Sequence, residues 1–344
     1  MSDVISLIDA NGEGIVIVVD DEERLTATIT DGDVRRALLN GVELQDPLSR
    51  LIEIGKLPPH DEGPITVTAS TPPDERLRLM TEHVLRHLPV VDGDHRVIEL
   101  ALLRELVEEF EEPLEAVVMA GGFGKRIMPL TATTPKPMLR VGDRPVMERT
   151  IERLKQSGIK KVNVTLHHLP DQIRQYFGDG SKLGVDIRYV TEDTPLGTAG
   201  ALRNMASSTE PLLVVNGDIV TSVDFRALLD YHRESGSDLT MGVRKYEAPV
   251  PYGVVECSGD KVTKLVEKPT SSLLVNAGIY LLEPFVTEHI PAETHFDMPE
   301  LVSKVLESGG RVSAFLIHEY WLDIGHPDDY SKAQSDIGMG LEDR

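Results

Sequence analysis

The sequence predicts an α/β protein in two parts: a small α+β module, then a mostly parallel sheet covered by helices with a mixed or antiparallel insertion. Three observations carry this prediction. The chain has 344 residues, more than the ~100–200 typical of one domain. Its first third holds two strings of similar shape. From Glu115 onward, short apolar runs alternate with segments of helical period, which is the pattern of βα units.

The first string runs from Gly14 to Gly41, GIVIVVDDEERLTATITDGDVRRALLNG. It predicts a buried strand, a turn at Asp20 to Glu23, a second strand, and a helix opened by Thr30 or Asp31 and closed by Gly41. A polar stretch with Pro58, Pro59 and Pro64 follows. The second string, ITVTASTPPDERLRLMTEHVLRHLPVVDGDHRVIELALLREL, predicts strand, helix, strand, turn, strand and helix, with LPVVD matching IVIVVD. Tandem units of this kind bury their faces against each other. The acidic EEFEEPLEA at 108–116, broken by Pro113, predicts the connection. The expected boundaries are 1–110 for the module, 111–114 for the linker and 115–344 for the second domain.

In that second domain EAVVMA predicts a strand ending in glycines, RPVMERTIERLKQSG a helix, and KKVNVTL, DIRYVT and PLLVVNGD further strands. DQIRQYFG and GTAGALRNMA are helical stretches between them. Ligands of such sheets lie at the carboxyl ends of the strands. Beyond Leu239 the strands DLTMGVRKY, YGVVEC, KVTKLVEKP and VNAGIYLLE follow closely, as an insertion that walls off a second substrate would.

A formal charge of −22 disfavours nucleic acid and acidic membranes as partners. No apolar run approaches the ~18 residues of a membrane helix. The N-terminal MSDVISLIDANGEG carries acids where a signal peptide carries positive charge, so a cytoplasmic protein is expected. Cys257 is the single cysteine; it excludes an internal disulfide and a thiolate zinc cluster, and is expected as a small buried or strand residue.

The strongest local signal is AGGFGKRIMPLTATTPKPML at 120–139. Gly121, Gly122 and Gly124 after a buried strand let backbone amides approach phosphate oxygens, and Lys125, Arg126 and Lys136 bring positive charge to the same anion. The string is neither a Walker A loop, because Lys125 is followed by Arg126, nor a dinucleotide fingerprint, because Ile127 stands where the third glycine belongs. Asp218 is expected at a strand's carboxyl end with Asp323 converging on it, a split carboxylate pair that suits Mg²⁺ held jointly with substrate phosphates. His167 and His168 are expected as exposed loop residues, since neighbours in extended chain face opposite ways. No metalloprotease, hydrolase-elbow or zinc-finger pattern occurs.

GGFGKRIMPLT followed by PKPM resembles the signature loop of the nucleotidyl transferase family, which joins a sugar 1-phosphate to a nucleoside triphosphate on a Rossmann-like sheet and releases pyrophosphate. The resemblance extends through LGTAGAL at 196–202, NGD at 216–218, PYGVVE at 251–256, VEKP at 266–269, NAGIY at 276–280 and WLDIGHPDDY at 321–330. It implies that Arg126 holds the β- and γ-phosphates, Lys136 the α-phosphate or the incoming phosphate, and Asp218 and Asp323 the Mg²⁺. It implies a nucleotide side made of Gly121, Gly122, Gly124, Lys125, Glu192, Gly197 and Thr198. On the sugar side it implies hydroxyl contacts from Glu267 and Asn276, phosphate contact from Lys268, and room for the ring at Gly253, with Tyr252 and Gly278 beside them. No general base is needed, because the sugar phosphate is already ionised.

Glu192 in TEDTPLGTAG occupies the place where relatives using uracil or thymine carry glutamine. A carboxylate only accepts hydrogen bonds and guanine offers two adjacent donors, so GTP is expected. The string also resembles guanylyltransferases for mannose, heptose or glucosamine 1-phosphates, with an NDP-sugar for a surface glycan as product. Alternatives are a UTP- or dTTP-using enzyme for glucose or N-acetylglucosamine 1-phosphate, an enzyme for a non-sugar phosphate, and a non-catalytic nucleotide sensor.

The two N-terminal units resemble the cystathionine-β-synthase (CBS) repeats that pair into a Bateman module, which implies an adenine-nucleotide effector or dimerisation. Thr30 and Asp33 match the spacing of a ribose-binding pair; they equally match a helix cap. IELALLREL in the second unit has no such pair. The expected partners are therefore an NTP, a sugar 1-phosphate, an adenine-nucleotide effector and further copies of the chain, with neither nucleic acid nor membrane.

Overall fold

The computed structural model describes residues 1–54, 63–106, 114–192, 194–205 and 209–341. The stretch holding Pro58 and Pro59 and most of the expected linker lie outside them. The chain forms two compact units, one of Met1–Pro113 with Phe225–Ser237, the other of Leu114–Asp224 with Asp238–Arg344.

The first unit contains the two repeats. The first comprises α1 (Ser2–Asn11), β1 (Ile15–Val19), β2 (Leu25–Thr30), α2 (Asp31–Leu39) and α3 (Leu48–Ile54). β1 and β2 are antiparallel, from Ile15↔Thr30 to Val19↔Leu25. Their cluster joins Val4, Ile8, Ile29, Val34 and Leu51. The second repeat comprises β3 (Val67–Thr68), α4 (Pro73–Glu82), β4 (His87–Val91), β5 (Val97–Leu102) and α5 (Leu103–Leu106). It closes its own cluster of Val67, Met80, Leu88, Val90 and Ala101, where each buried aliphatic contributes about 1.5–3 kcal/mol. The order matches the predicted strings; α1 is an addition, held by Val4 and Ile8 four residues apart on one face.

Thr30 and Asp33 make a reciprocal cap. The Thr30 hydroxyl and backbone N–H both donate to Asp33 Oδ2 at 2.9 Å, and the Asp33 N–H donates back to Thr30 Oγ1 at 3.3 Å. Beneath it Arg35, 1% exposed, grips Asp31 through two bonds of 2.5 and 2.9 Å. The Phe225–Ser235 helix supplies acids to this unit: Arg36 donates to Asp33 at 2.8 Å and to Glu234 at 2.9 Å, and Arg86 pairs with Asp230.

The second unit is built on β6 (Glu115–Met119), the short pair β7 (Arg140–Val141) and β8 (Arg144–Pro145), α6 (Val146–Gln156), β9 (Lys161–Leu166), α7 (Pro170–Phe177), β10 (Asp186–Thr191), α8 (Gly197–Gly200), β11 (Leu212–Asn216) and β12 (Ile219–Thr221). After the Phe225–Ser235 helix, α9 of the first unit, come β13 (Leu239–Pro249), β14 (Val254–Ser258), β15 (Lys261–Val266), β16 (Thr270–Leu282), α10 (Met298–Glu307), β17 (Val312–Ile317), β18 (Trp321–Asp323) and α11 (Pro327–Gly338). The central sheet has the order β10-β9-β6-β11-β16-β13-β17. β10, β9, β6 and β11 are mutually parallel, β16 is antiparallel to both its neighbours, and β13 pairs parallel with β17. VNAGIYLLE and DLTMGVRKY, read from sequence as insertion strands, thus spend much of their length in the main sheet, because their Ala277–Leu282 and Leu239–Val243 stretches are largely buried. What projects is smaller: the ends of β13 and β16 and the β14–β15 hairpin. Val117, Val214, Leu239, Tyr280 and Leu301 sit in the main core.

Candidate active site

Four parallel strands deliver their carboxyl ends to one edge. Met119 of β6 is in register with Asn216 of β11 and Thr165 of β9, and Thr165 with Val190 of β10. The residues just past those positions, the glycine loop from 121, Asp218, His167 and Glu192, therefore leave the sheet on the same side. The strand order turns outward in both directions from β6 and β11, the usual crevice for a ligand of an open α/β sheet.

Close backbone approach holds this edge together. A Cβ on Gly217 would stand 2.7 Å from the Met119 carbonyl and 3.2 Å from Pro137 Cγ, so the NGD turn packs against both the end of β6 and the PKP segment. Gly278 has φ +68°, and a Cβ there would meet Asn216 Nδ2 at 2.5 Å, which brings NAGIY onto the same turn. The β12–β18 pair sets Ile219 opposite Asp323, and the Ile324 N–H donates to the Asp218 carbonyl at 3.0 Å. Under it lies an apolar floor of Ile127, Leu139, Val146, Val220 and Ile324.

On that floor the charges meet. The Lys136 ammonium bonds Asp218 Oδ2 and lies 3.9 Å from Asp323 Oδ1. Lys136 is nearly buried, whereas the Asp323 side chain is 43% exposed and reachable by a ligand. Burial first, then the Asp218 charge, push the Asp323 carboxyl above the usual carboxylate range; Lys136 and Arg126 act against that rise. The same residue has a buried oxygen, Oδ1, with no hydrogen-bond partner. Two carboxylates crowded together, one with an orphaned oxygen, fit a hard divalent cation with oxygen ligands such as Mg²⁺. Arg126, Lys136, Asp218 and Asp323 are thus brought together. A second carboxylate group, His295, Asp297 and Glu300, is a helix cap: the Asp297 N–H donates to Glu300 at 2.7 Å and Asp297 accepts from Thr198.

Of the residues expected on the nucleotide side, Gly121, Gly122, Gly124 and Lys125 form the loop after β6. Gly124 has φ +62°, and its carbonyl accepts from the Thr131 hydroxyl at 2.8 Å, which pins the loop. Glu192 is 8% exposed; its Oε2 accepts the Leu196 N–H at 2.8 Å, while Oε1 lies 3.6 Å from where a Gly121 Cβ would stand. Burial pushes its carboxyl up, against the Leu196 bond and two nearby histidines. Gly197 and Thr198 spend their groups on α10: the Thr198 N–H and hydroxyl donate to Asp297 at 2.8 and 3.2 Å, and Gly197, at φ +81°, leaves room for that carboxylate.

Of the residues expected on the sugar side, Tyr252 and Lys268 are exposed, and Gly253 packs so that a Cβ would lie 2.9 Å from Glu267 Oε2. Asn276 turns its amide to Tyr280 Oη at 2.5 Å and accepts the Gly278 N–H at 3.0 Å, a pairing that fixes the irregularity in β16.

One sequence expectation changes, and one residue went unread. His167 and His168 are half-buried rather than exposed, and both rings lie 5.3 Å from the Phe123 ring. The chain leaves extended geometry after Leu166, so strand alternation no longer governs them. His167 also bonds the Glu192 carbonyl at 3.0 Å. Phe123 was missed altogether, although an aromatic inside a glycine loop was a visible signal; the Lys125 ammonium lies 5.4 Å from its ring centre. Cys257 is on a strand, one of the two places expected of it, and is exposed because both faces of β14 are open.

A model of the nucleotidyl transferase family matches residues 115–339, and a CBS domain model matches residues 56–112. The chain is 35% identical over 227 residues to a probable mannose-1-phosphate guanylyltransferase 1 of Oryza sativa subsp. japonica, covering 63% of each chain. It is 34% identical over 237 residues to the mannose-1-phosphate guanylyltransferase of Mycobacterium tuberculosis, covering 66% of each. The match therefore spans a little under two thirds of these relatives. Among solved structures, HddC from Yersinia pseudotuberculosis complexed with GMP-PN superimposes with a TM-score of 0.52 at 26% identity, covering 65% of this chain and 99% of that one.

Proposed function

The chain belongs to the nucleotidyl transferase family, and from that premise we propose that it is a sugar-1-phosphate nucleotidyltransferase, moving a nucleoside monophosphate from GTP to a mannose-type sugar 1-phosphate. The observation that carries the reading is the Lys136 ammonium between Asp218 and Asp323, at the edge where the glycine loop leaves β6. The guanylyltransferase relatives and the GMP-PN complex support guanine, as does a buried carboxylate at 192 turned toward Gly121. Mannose rests on the relatives' names.

In the reaction a phosphate oxygen of the sugar 1-phosphate bonds to the α-phosphorus as the bond to the α,β-bridging oxygen breaks. Pyrophosphate leaves with that electron pair, and no proton transfer is required. Asp218 and Asp323 would hold Mg²⁺, which when bound supplies positive charge to the triphosphate. Arg126 binds the β- and γ-phosphates and meets the charge accumulating on the leaving group. Lys136 screens the two carboxylates from each other and orients the α-phosphate or incoming phosphate. The loop amides of Gly121 to Gly124, with Lys125, cradle the phosphates, and Gly197 and Thr198 shape the turn beside the nucleotide by fixing α10. Glu267, Asn276 and Lys268, with Tyr252, Gly253 and Gly278, line the sugar side.

The domain division proposed with it is a CBS-pair module at 1–110, a linker at 111–114 and a catalytic domain at 115–344, from which the segment Phe225–Ser237 is lent to the first compact unit. The module would respond to an adenine nucleotide at Thr30 and Asp33, which must displace the bonds those residues now make. A cytoplasmic homo-oligomer completes the proposal; among the described residues no helix is long and apolar enough to cross a membrane. Measuring pyrophosphate release against a matrix of four NTPs and a panel of sugar 1-phosphates tests the reading. GTP with mannose 1-phosphate is expected to give the highest kcat/KM. A clear preference for UTP or dTTP would sink the guanine assignment, and no turnover with any pair would sink the reaction.

A further inference from the structure

β10 is an edge strand, paired in the central sheet with β9 alone. Their ladder closes at Thr191↔Leu166. Glu192 therefore stands one step past the last rung, at a strand end with a single neighbour, where local opening is easiest. It is nevertheless held through both of its main-chain groups. Its N–H donates to the Leu166 carbonyl at 2.9 Å, and its carbonyl accepts from His167 Nδ1 at 3.0 Å. A carbonyl has no proton to give, which assigns the hydrogen to Nδ1. The imidazole thus supplies a rung that the backbone ladder no longer provides.

The glycine loop braces that imidazole. A Cβ on Gly121 would stand 3.4 Å from His167 Cβ and 3.6 Å from Glu192 Oε1, so loop, ring and carboxylate meet at one point. Phe123 of the same loop packs on the His167 ring, with centres 5.3 Å apart and planes at 79°, a favourable T-shaped contact. The Glu192 carboxylate is divided in its duties. Oε2 accepts the Leu196 N–H at 2.8 Å, while Oε1 has no hydrogen-bond partner among the described residues. Recognition of paired donors tolerates a displacement of only ~0.5 Å, and a turn of ~10° at Cα carries an oxygen ~4 Å away by ~0.7 Å. Freedom in the Glu192 backbone is therefore freedom in the selecting oxygens.

We propose that His167, braced by Phe123, is a positioning residue that fixes Glu192 and so sets the choice of nucleobase. This rests on the reading of Glu192 as the acceptor of guanine and adds the side chain that holds it in place. His168 provides an internal control. Its ring also lies 5.3 Å from Phe123, tilted by 45°, but it makes no hydrogen bond among the described residues. Packing on Phe123 is common to both histidines; the bond to Glu192 belongs to His167 alone.

The test is calorimetric titration of the full chain with GTP and with UTP in MgCl₂, which needs no acceptor sugar. The proteins are the wild type, His167→Leu, His167→Asn, His168→Leu and Glu192→Gln, each checked by circular dichroism. The wild type is expected to bind GTP more tightly than UTP. His167→Leu should shrink that preference at least about fivefold, the worth of one ordinary hydrogen bond, with the Kd for UTP within about twofold of the wild type's. A general loosening of the fold would weaken both nucleotides together. His167→Asn, whose amide keeps a donor near the place of Nδ1, should restore most of the preference, and His168→Leu should leave it intact. A wild-type preference in His167→Leu, an Asn variant no better than Leu, or an equal loss in His168→Leu overturns the proposal while Glu192→Gln still lowers the preference. A wild type without preference, or a Glu192→Gln protein that keeps it, overturns the guanine reading and this proposal with it.

Discussion

Replacing Lys136 by Met keeps the bulk of a long side chain and removes the charge between the two site aspartates. At 3.9 Å from Asp323, an ammonium–carboxylate attraction is worth about 4 kcal/mol at an effective dielectric constant of ~20. Asp323 is 43% exposed, so solvent screening reduces that contact to about 1 kcal/mol. The less exposed bond to Asp218 adds about 1.5–3 kcal/mol, the worth of a charge-assisted hydrogen bond. The variant should therefore unfold about 2–4 kcal/mol more easily in EDTA. Added Mg²⁺ should raise its melting temperature more than the wild type's, because the ammonium no longer competes for the same carboxylates. Turnover should fall by about 10²–10³, the loss typical of removing one preorganised cation or donor. Scanning calorimetry with EDTA or MgCl₂, beside a pyrophosphate-release assay, measures all three quantities. An identical Mg²⁺ response in both proteins, with wild-type turnover, would refute the placement of the metal between these carboxylates.

Asp218→Asn removes one negative ligand at nearly constant volume and should abolish turnover while circular dichroism stays unchanged; wild-type rates with magnesium present would contradict its assignment. Glu192→Gln puts a donor where only acceptors stood, so the ratio of kcat/KM for GTP over UTP should fall by at least about tenfold; an unchanged ratio would leave Glu192 as a tie for Leu196 only. His87 is held neutral by burial, its pKa pushed down to about 4. The unfolded chain therefore binds more protons between pH ~6.5 and ~4, and stability falls as pH drops through that window, by at most about 3 kcal/mol. Denaturant melts should show His87→Gln losing less stability than the wild type between those two pH values; parallel losses would exclude His87 as the cause.

What the sequence made legible is local. The βα alternation after Glu115, the two ββα strings and the cap at Thr30 are patterns a few residues long, and each sits where its period demands. The meeting of Asp218 with Asp323 is different in kind. No local property of WLDIG points to NGD; the β12–β18 pairing brings them together, and only the ordered series of strings hinted at it. The tie between Thr198 and Asp297 was invisible for the same reason. Helix α1 went unread although Val4, Ile5, Leu7 and Ile8 carry a helical spacing; only Val4 and Ile8 of these are buried, and Leu7 is open to solvent.

Charge gives the site its logic in so acidic a chain. Lys125, Arg126 and Lys136 gather at the edge where Asp218 and Asp323 converge, so these five side chains sum to a single positive charge, against −22 for the whole chain. On the proposed reading a nucleoside triphosphate with a sugar phosphate would bring several negative charges to that edge. Lys136 is already engaged by the aspartates, which would leave Arg126 and Lys125 to draw the anions in. Two cations cannot neutralise a triphosphate in a low-dielectric cleft, where unpaired charge is most costly. The carboxylates become useful at that point: a divalent ion bound by them would add two positive charges and release the Lys136 ammonium to the phosphates. On this logic the aspartates do not oppose the substrate's charge. They would recruit the ion that offsets it, and the lysine between them would hold the pair together until that ion arrives.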